Sequence, residues 1–176
     1  MNKLEYIWLS KIDISNKNKR LLINKFGGIK RLFKSSLDDF AYFEINDNIA
    51  YKILNKKTKE EALIDFEYMK KNNIDIITLE DEDYPEKFKN IKDSPICFYI
   101  KGNRKILNNK AVGIVGSRIA LNESLEVSKI LANYLSSKGF NIISGLAKGI
   151  DKYAHLGALE KKCRGKTIGV LACRIR

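Results

Sequence analysis

Hydrophobic residues recur at helical spacing through the first part of the chain. One apolar stripe lies within residues 19–26, ends at Gly27–Gly28 and resumes within residues 29–33, which predicts two helices joined by a glycine turn. Thr58, with a glutamate three residues later, has the form of a capping box and predicts a longer helix that starts there. The pattern therefore predicts a small helical domain over residues 1–72.

Two short apolar and β-branched runs follow this domain. They predict strands at Ile74–Leu79 and Pro95–Lys101, separated in part by the acidic run Glu80–Asp83. Four adjacent carboxylates could suggest a metal site, but neighbouring side chains diverge from one another. We therefore interpret the acidic run as a solvated turn.

From Lys110 onward, short apolar runs alternate with helical segments, which is typical of a parallel sheet with crossover helices. Strands are predicted at Ala111–Val115, Phe140–Ile143 and Lys166–Ala172. Helices are predicted at Glu123–Lys138, with Asn122 as its cap, and at Ile150–Lys162. The order βαβαβ predicts an α/β fold, with an incomplete Rossmann-like parallel sheet in a second domain over residues 73–176.

The glycine turn at residues 27–28 allows two interpretations. It is similar to the turns of SAM-like and helix-hairpin-helix modules, in which backbone amides can hold a DNA phosphate. It can also be a plain helical turn. We favour the plain turn because Lys25–Gly28 matches the hairpin pattern only loosely.

Charge is distributed unevenly along the 176 residues, whose formal net charge is +12. Residues 1–100 carry 18 basic and 17 acidic side chains, whereas residues 101–176 carry 15 and 4. An excess of lysine alone can reflect an AT-rich genome, but codon bias does not segregate charge along a chain. The second half is therefore expected to face a polyanion.

Other functional classes find little support in the sequence. The cysteines Cys97, Cys163 and Cys173 form neither an even set nor a CxxC pair, and one histidine cannot build a multi-histidine metal site. Cys97 is predicted to be a small core residue. No apolar run is long enough for a membrane span or a signal peptide, so we expect a cytoplasmic location and no membrane partner. We also expect no cofactor.

Two glycine-containing turns follow the first two predicted strands of the parallel sheet. The turns supply a predicted anion site at the carboxyl edge of the sheet, with backbone, hydroxyl and cationic donors. The candidate binding residues are Gly116, Ser117, Arg118, Ser144, Gly145 and Lys148. Alternatively, the glycines serve only to make the turns tight.

Nucleotide-cofactor chemistry and catalysis are not favoured. The first turn has the spacing GxxG, without the third glycine of the dinucleotide fingerprint, and a Walker A motif is absent. Asp151 and His155 are four residues apart on one helix and could form a catalytic dyad. We prefer a structural interpretation, in which Asp151 interacts with the helix dipole and His155 orders the turn.

Several motifs in combination resemble the DNA-processing protein A family (DprA or Smf). The resemblance covers about residues 80–173. It rests on Asp83-Tyr84-Pro85, Ile91–Pro95, Tyr99–Gly102, the run Ala111–Arg118, the run Ser144–Asp151, Ala154-His155, Gly157–Leu159 and Gly165–Cys173.

The resemblance implies a binding protein without catalysis. Members of that family bind single-stranded DNA during natural transformation, load the RecA recombinase onto it and usually form homodimers. It also implies that Gly116, Ser117 and Arg118 line a DNA-backbone pocket, which Ser144, Gly145 and, less directly, Lys148 border.

The family pattern differs from this sequence after Cys173, where Gly, an aliphatic residue and Asp are expected but Arg174-Ile175-Arg176 is found. We therefore expect a chain truncated within the Rossmann-like domain, with an unpaired sheet edge, exposed apolar faces and a tendency to self-associate. Two alternatives to single-stranded DNA binding stay open. One is an α/β enzyme acting on a nucleotide monophosphate, and the other is a non-functional remnant.

Overall fold

The computed structural model describes residues 2–171, and the chain divides into two compact units. Residues up to Lys105 form the first unit and residues from Ile106 form the second. This division lies about thirty residues after the predicted domain boundary at residue 72, because the first pair of strands packs with the N-terminal helices. The assignment of domains at 1–72 and 73–176 stays a prediction.

The first unit begins with helices, as the periodicity predicted. Its helices are α1 (Lys3–Lys11), α2 (Asn16–Lys25), α3 (Ile29–Phe33), α4 (Leu37–Tyr42), α5 (Asp47–Leu54), α6 (Lys56–Lys71) and α7 (Glu86–Lys89). Two strands, β1 (Asp75–Thr78) and β2 (Cys97–Ile100), form an antiparallel pair in which Asp75 lies opposite Ile100. Both strands fall within the predicted ranges.

Helix α1 is the centre of this unit. Its four consecutive residues Tyr6–Leu9 are all buried, so this helix has no exposed face along that turn. The Trp8 ring packs edge-on against Phe33 on α3, with ring centroids 5.0 Å apart. Cys97 is buried, as predicted, and burial raises the pKa of its thiol to about 12. A thiol of this kind stays protonated and packs as a small apolar group.

The turn between α2 and α3 uses its own amides to end a helix. Gly27 and Gly28 have positive φ angles, which suit glycine. Their N–H groups donate to the carbonyls of Asn24 at 3.0 Å and Ile23 at 2.8 Å. The amides that would hold a phosphate in a helix-hairpin-helix are thus engaged, in agreement with the plain helical turn that we favoured.

Two predicted caps are wrong by a few residues. Helix α6 begins at Lys56 rather than at Thr58, because the Asn55 side chain accepts a hydrogen bond from the Lys57 amide at 2.9 Å and caps the helix earlier. Asn122 is the first residue of α8 (Asn122–Ser137) rather than its cap, which is Leu121.

The acidic turn is not a solvated turn as predicted. Asp81 is buried and accepts hydrogen bonds from the backbone and side chain of Thr78 at 2.7 and 2.8 Å. Arg104 donates to Asp83 from two nitrogens and to Asp75 at 2.7 Å, and it approaches Asp81 at 3.4 Å. The carboxylates converge because one guanidinium offers several donors in a plane.

The second unit contains the predicted βαβαβ order and confirms the α/β fold with a small parallel sheet. Its strands are β3 (Ala111–Gly113), β4 (Asn141–Ser144) and β5 (Thr167–Gly169), and its helices are α8 and α9 (Ile150–Ala158). The strands are parallel in the order β3-β4-β5, with Val112 opposite Ile142 and Ile143 opposite Ile168. Helix α9 ends before the predicted Lys162, and Ala172 lies outside the described residues.

Small residues let α8 and α9 pack closely. A side chain at Gly157 would collide with the Lys129 carbonyl of α8, so the glycine permits the contact. Ala132, Ala154 and Ala158 share the core with Ile114 and Ile142. The other side of α8 exposes apolar residues, among them Ile130 and Tyr134, in line with the expected exposed apolar surface.

Replacing Arg104 with alanine is expected to destabilise the first unit by about 1–2 kcal/mol, because a partly exposed charged network contributes roughly this much. The hydrogen bond from Arg104 lowers the pKa of Asp83. Burial by itself raises the pKa of Asp75. Hydrogen bonds from Lys3 and the Ile76 amide, together with the charge of Arg104, outweigh the effect of burial, so the pKa is lowered overall. This stabilisation is present above about pH 4 and is lost as the pH falls through the lowered values.

Urea unfolding followed by the fluorescence of Trp8, the only tryptophan, reports on this unit. The matched control is Lys105→Ala, which removes a neighbouring exposed cation. Equal midpoints for the two variants, or an unchanged loss of stability in acid for Arg104→Ala, would contradict the prediction.

Candidate nucleic-acid interface

Both predicted turns lie at the carboxyl edge of the parallel sheet. The ladder continues past the strands, because Ile114 N–H donates to the Ile143 carbonyl at 3.0 Å and Val170 N–H donates to the Ser144 carbonyl at 2.8 Å. Each turn therefore leaves the sheet at the same edge, next to the first turn of α9. This is the edge where α/β sheets of this kind bind ligands.

One buried carboxylate joins the two turns. Asp151, in the first turn of α9, is buried, with a relative exposure of 6%. Its Oδ1 accepts from the Gly116 amide at 3.3 Å, and its Oδ2 accepts from the Gly145 amide at 3.1 Å. Asp151 thus also occupies the N-terminal end of a helix dipole, as predicted, but its main contacts are with the two turns.

The glycines of the turns make room for the protein's own residues. A Cβ at Gly116 would lie 2.7 Å from the Ile150 side chain, and one at Gly145 would lie 2.8 Å from Asp151 Oδ2. Gly149 has a positive φ and abuts the backbone of Ser117 and Arg118. The space around the glycines therefore agrees with the alternative that they make the turns tight.

The two hydroxyl groups of the predicted site are used within the fold. Ser144 is buried, and its Oγ donates to the Ile114 carbonyl at 2.6 Å. Ser117 Oγ donates to the Ile119 carbonyl and accepts from the Ile119 amide, so it closes its own turn. Both serines shape the turns rather than extend donors into solvent.

The exposed cations of the two turns are Arg118 and Lys148. Neither side chain has an ion pair among residues 2–171. The turns meet where the Ile150 amide donates to the Ser117 carbonyl at 3.2 Å. The structure therefore brings all six predicted residues to one edge, where the cations and the exposed Gly116 backbone face solvent.

His155 has a role different from the predicted one. It is buried, and its Nδ1 shares a 2.5 Å hydrogen bond with Thr167 Oγ1, which links α9 to β5. Its Nε2 has no partner among the described residues. Burial lowers the pKa of His155, and the charge of Asp151 opposes that effect. The prediction that His155 orders the turn is wrong, because its ring bonds to Thr167 on β5, whereas Asp151 accepts the amides of both turns.

The bridging role of Asp151 was not predicted from the sequence. The available signal was an acidic residue two positions after Gly149, at the start of the helix that follows the second turn. Spacing alone could not show that its two oxygens reach amides 35 and 6 residues away in the chain.

Within residues 2–171, no group of three His, Cys, Asp or Glu side chains is placed to hold a metal ion. The helices of the same residues are all too short or too polar to cross a membrane.

Comparison with known proteins identifies relatives across most of this chain. The profile of the family described as DNA recombination-mediator protein A matches residues 75–176. DNA processing protein DprA of Bacillus subtilis is 35% identical over 104 residues, which are 58% of this chain and 34% of that protein. DprA of Streptococcus pneumoniae is 34% identical over 112 residues, which are 64% of this chain and 38% of that protein.

More of the chain is covered by two further comparisons. Protein Smf of Borreliella burgdorferi is 28% identical over 151 residues, which are 86% of this chain and 47% of that protein. The X-ray structure of DNA processing protein A from Streptococcus pneumoniae matches with a TM-score of 0.54 and 26% identity, over 90% of this chain and 58% of that one. The chain thus spans between a third and a half of these curated relatives, and the resemblance found from its motifs is confirmed.

Replacing Asp151 with alanine is expected to destabilise the second unit by about 2–3 kcal/mol, because two amides lose their acceptor. Hydrogen exchange at the Gly116 and Gly145 amides should accelerate more than at amides of α8. Lys152→Ala, an exposed change on the same helix, is the control and should leave both rates unchanged. Unaltered glycine exchange in Asp151→Ala would show that the bridge does not hold the turns.

The lowered pKa of His155 predicts a pH dependence of the second unit. Burial favours the neutral ring of His155 in the folded protein. The contribution of this ring to stability is complete above the ordinary histidine pKa near 6.5, and it is lost as the pH falls from there to the lower pKa of the folded state. Exchange protection of the β4 amides should fall between pH 7.5 and 5.5. His155→Gln should remove this change, and a persistent change in that variant would disprove the assignment to the only histidine.

Proposed function

Because this chain belongs to the DNA recombination-mediator protein A family, we propose that it binds single-stranded DNA at the two bridged turns. Arg118 and Lys148 contact the phosphates, and the exposed Gly116 backbone lets the strand approach closely. The observation that carries the proposal is the pair of exposed cations beside the two turns, together with the buried carboxylate of Asp151, which accepts one amide from each turn.

The charge of the second unit supports a polyanionic partner. From Ile106 onward, the sequence has 12 basic and 4 acidic side chains. Asp151 is buried, and Glu160 pairs with Lys129 at 3.3 Å and accepts from Asn133 at 2.9 Å. The other two acidic residues, Glu123 and Glu126, are exposed on α8. The acidic residues therefore offset the positive charge of this unit only in part. Arg118 contributes a planar fork that suits a phosphate, and Lys148 contributes a point charge.

Contacts to phosphates predict affinity that depends on salt more than on base sequence. Few aromatic side chains lie near the two turns, so base stacking should contribute less than in proteins with aromatic stacking platforms. We extend the proposal to the hand-over of the bound strand to the RecA recombinase and to homodimerisation, as the family resemblance implies.

The hydrolytic alternative needs a carboxylate free to act on a nucleotide. Asp151 is the buried carboxylate between the two turns, and both of its oxygens already accept hydrogen bonds. That arrangement favours binding over hydrolysis of an N-glycosidic bond. A nucleotide hydrolysis assay separates the two functions.

The test is the binding of fluorescent oligo-dT to the wild-type chain and to Arg118→Ala across a salt series. Removal of one phosphate contact should weaken binding and reduce the slope of log affinity against log salt by about 1. The matched control is Arg164→Ala, because Arg164 is also exposed but precedes β5, at the amino end of the strand.

If Arg164→Ala and Arg118→Ala lower affinity and slope equally, attraction is diffuse and the turns are not the binding site. If only Arg118→Ala does so, the turn binds the strand. Unchanged binding in both variants would place the strand outside the turns, and absence of binding by the wild-type chain would indicate a remnant without this function.

A further inference from the structure

We propose that the first unit contains a second, separate anion site, a cavity that takes the phosphate group of a nucleotide. The cavity has a volume of about 390 Å³ and lies between the start of α2, the end of β1 and the loop after α7. Cavities of roughly 300–1,000 Å³ are typical of small-molecule sites. The proposal does not rest on the function assigned to the second unit.

Three of the side chains that line the cavity are cationic. They are Arg20, Lys89 and Lys92, and the described lining residues include no carboxylate. This concentration is local, because residues 1–100 as a whole are nearly balanced with 18 basic and 17 acidic side chains. Cations that outnumber acids around a concave surface create a positive potential that attracts an anion.

The loop that forms one wall is held rigidly. Arg20 donates to the Ser94 carbonyl and, at 2.7 Å, to the Lys92 carbonyl. Ser94 is buried, and its hydroxyl shares a 2.5 Å hydrogen bond with the Tyr84 hydroxyl. A wall fixed before the ligand arrives loses less conformational freedom on binding. The guanidinium has five N–H donors, so it retains donors for a ligand.

Two acidic residues, Asp93 and Glu86, are close in the chain to the lining residues, and both have partners. The Asp93 carboxylate accepts from the Lys17 amide at 2.8 Å, at the start of α2. Glu86 lies 3.7 Å from the Lys89 ammonium, but both side chains are more than half exposed. Exposed pairs of this kind contribute little to stability, so we expect a bound phosphate to compete with Glu86 for Lys89.

Apolar side chains complete the lining and narrow the class of ligand. Leu79 is partly buried, and Ile91 is half exposed. Asn90 adds an amide that can donate or accept. The lining thus offers cations for a phosphate, apolar surface for a sugar or base, and one amide that can orient the ligand. This combination matches the chemistry of a nucleotide. The nucleotide is either free or one unit of a nucleic acid strand.

The test compares two double variants of the full chain by calorimetry. Lys89→Gln with Lys92→Gln removes two cations of the cavity, and Lys57→Gln with Lys87→Gln removes two exposed cations outside it. We expect dTMP to bind the wild type and the control equally. Its binding to the cavity variant should be at least about tenfold weaker, since a hydrogen bond to a charged group contributes that factor or more.

Three further probes identify the source of the phosphate. Thymidine, which lacks a phosphate, should not bind, and inorganic phosphate should bind more weakly than dTMP. Oligo-dT binding with a salt slope reduced by about 2 in the cavity variant would assign the site to a nucleic acid strand. An unchanged oligo-dT slope, with weakened dTMP binding, would assign it to a free nucleotide.

The Arg118→Ala variant distinguishes the two sites, because it should leave the binding of dTMP to the cavity unchanged. If dTMP binds the cavity variant and its control equally, or if thymidine binds as well as dTMP, the proposal is overturned. A loss of dTMP binding only in Arg118→Ala would assign the nucleotide to the turns of the second unit and would also overturn it.

Discussion

The candidate site depends on the carboxylate of Asp151. It lies between two turns that are distant in sequence and accepts one amide from each, at 3.3 and 3.1 Å. Without it, the amides of Gly116 and Gly145 would lose their acceptor, and both turns would be held less firmly to the first turn of α9. The glycines at 116, 145 and 149 let the backbone come this close, because side chains there would collide with Ile150, Asp151 or the Ser117 carbonyl.

Two kinds of residue have different roles at this site. Buried groups, Ser144 and Asp151, are fully used in joining strands, turns and helix. Exposed groups, Arg118 and Lys148, carry charge but no part of the fold. A protein that holds a polyanion through its phosphates benefits from that division, because the cations can adapt to the strand while the turns beneath them stay fixed.

The first unit shows the same principle with the signs reversed. Arg104 gathers the carboxylates of Asp75, Asp81 and Asp83, which the sequence presented only as part of an acidic stretch. We predicted a solvated turn because adjacent side chains diverge, and that reasoning ignored a cation 21 residues or more away in the chain. Local rules also misplaced the start of α6, because Thr58 and Asn55 both qualify as caps and only the geometry selects Asn55.

The sequence by itself determined the order and type of the elements and the family to which the chain belongs. These follow from periodicity and from short motifs such as Gly116-Ser117-Arg118, which are local properties of the chain. It also placed six candidate residues on two turns, because parallel strands end at a common edge. Only the tertiary structure decided which of them are free to meet a ligand. That outcome depends on partners distant in sequence, such as Ile114 for Ser144 and both glycine amides for Asp151, and spacing along one chain does not encode these contacts.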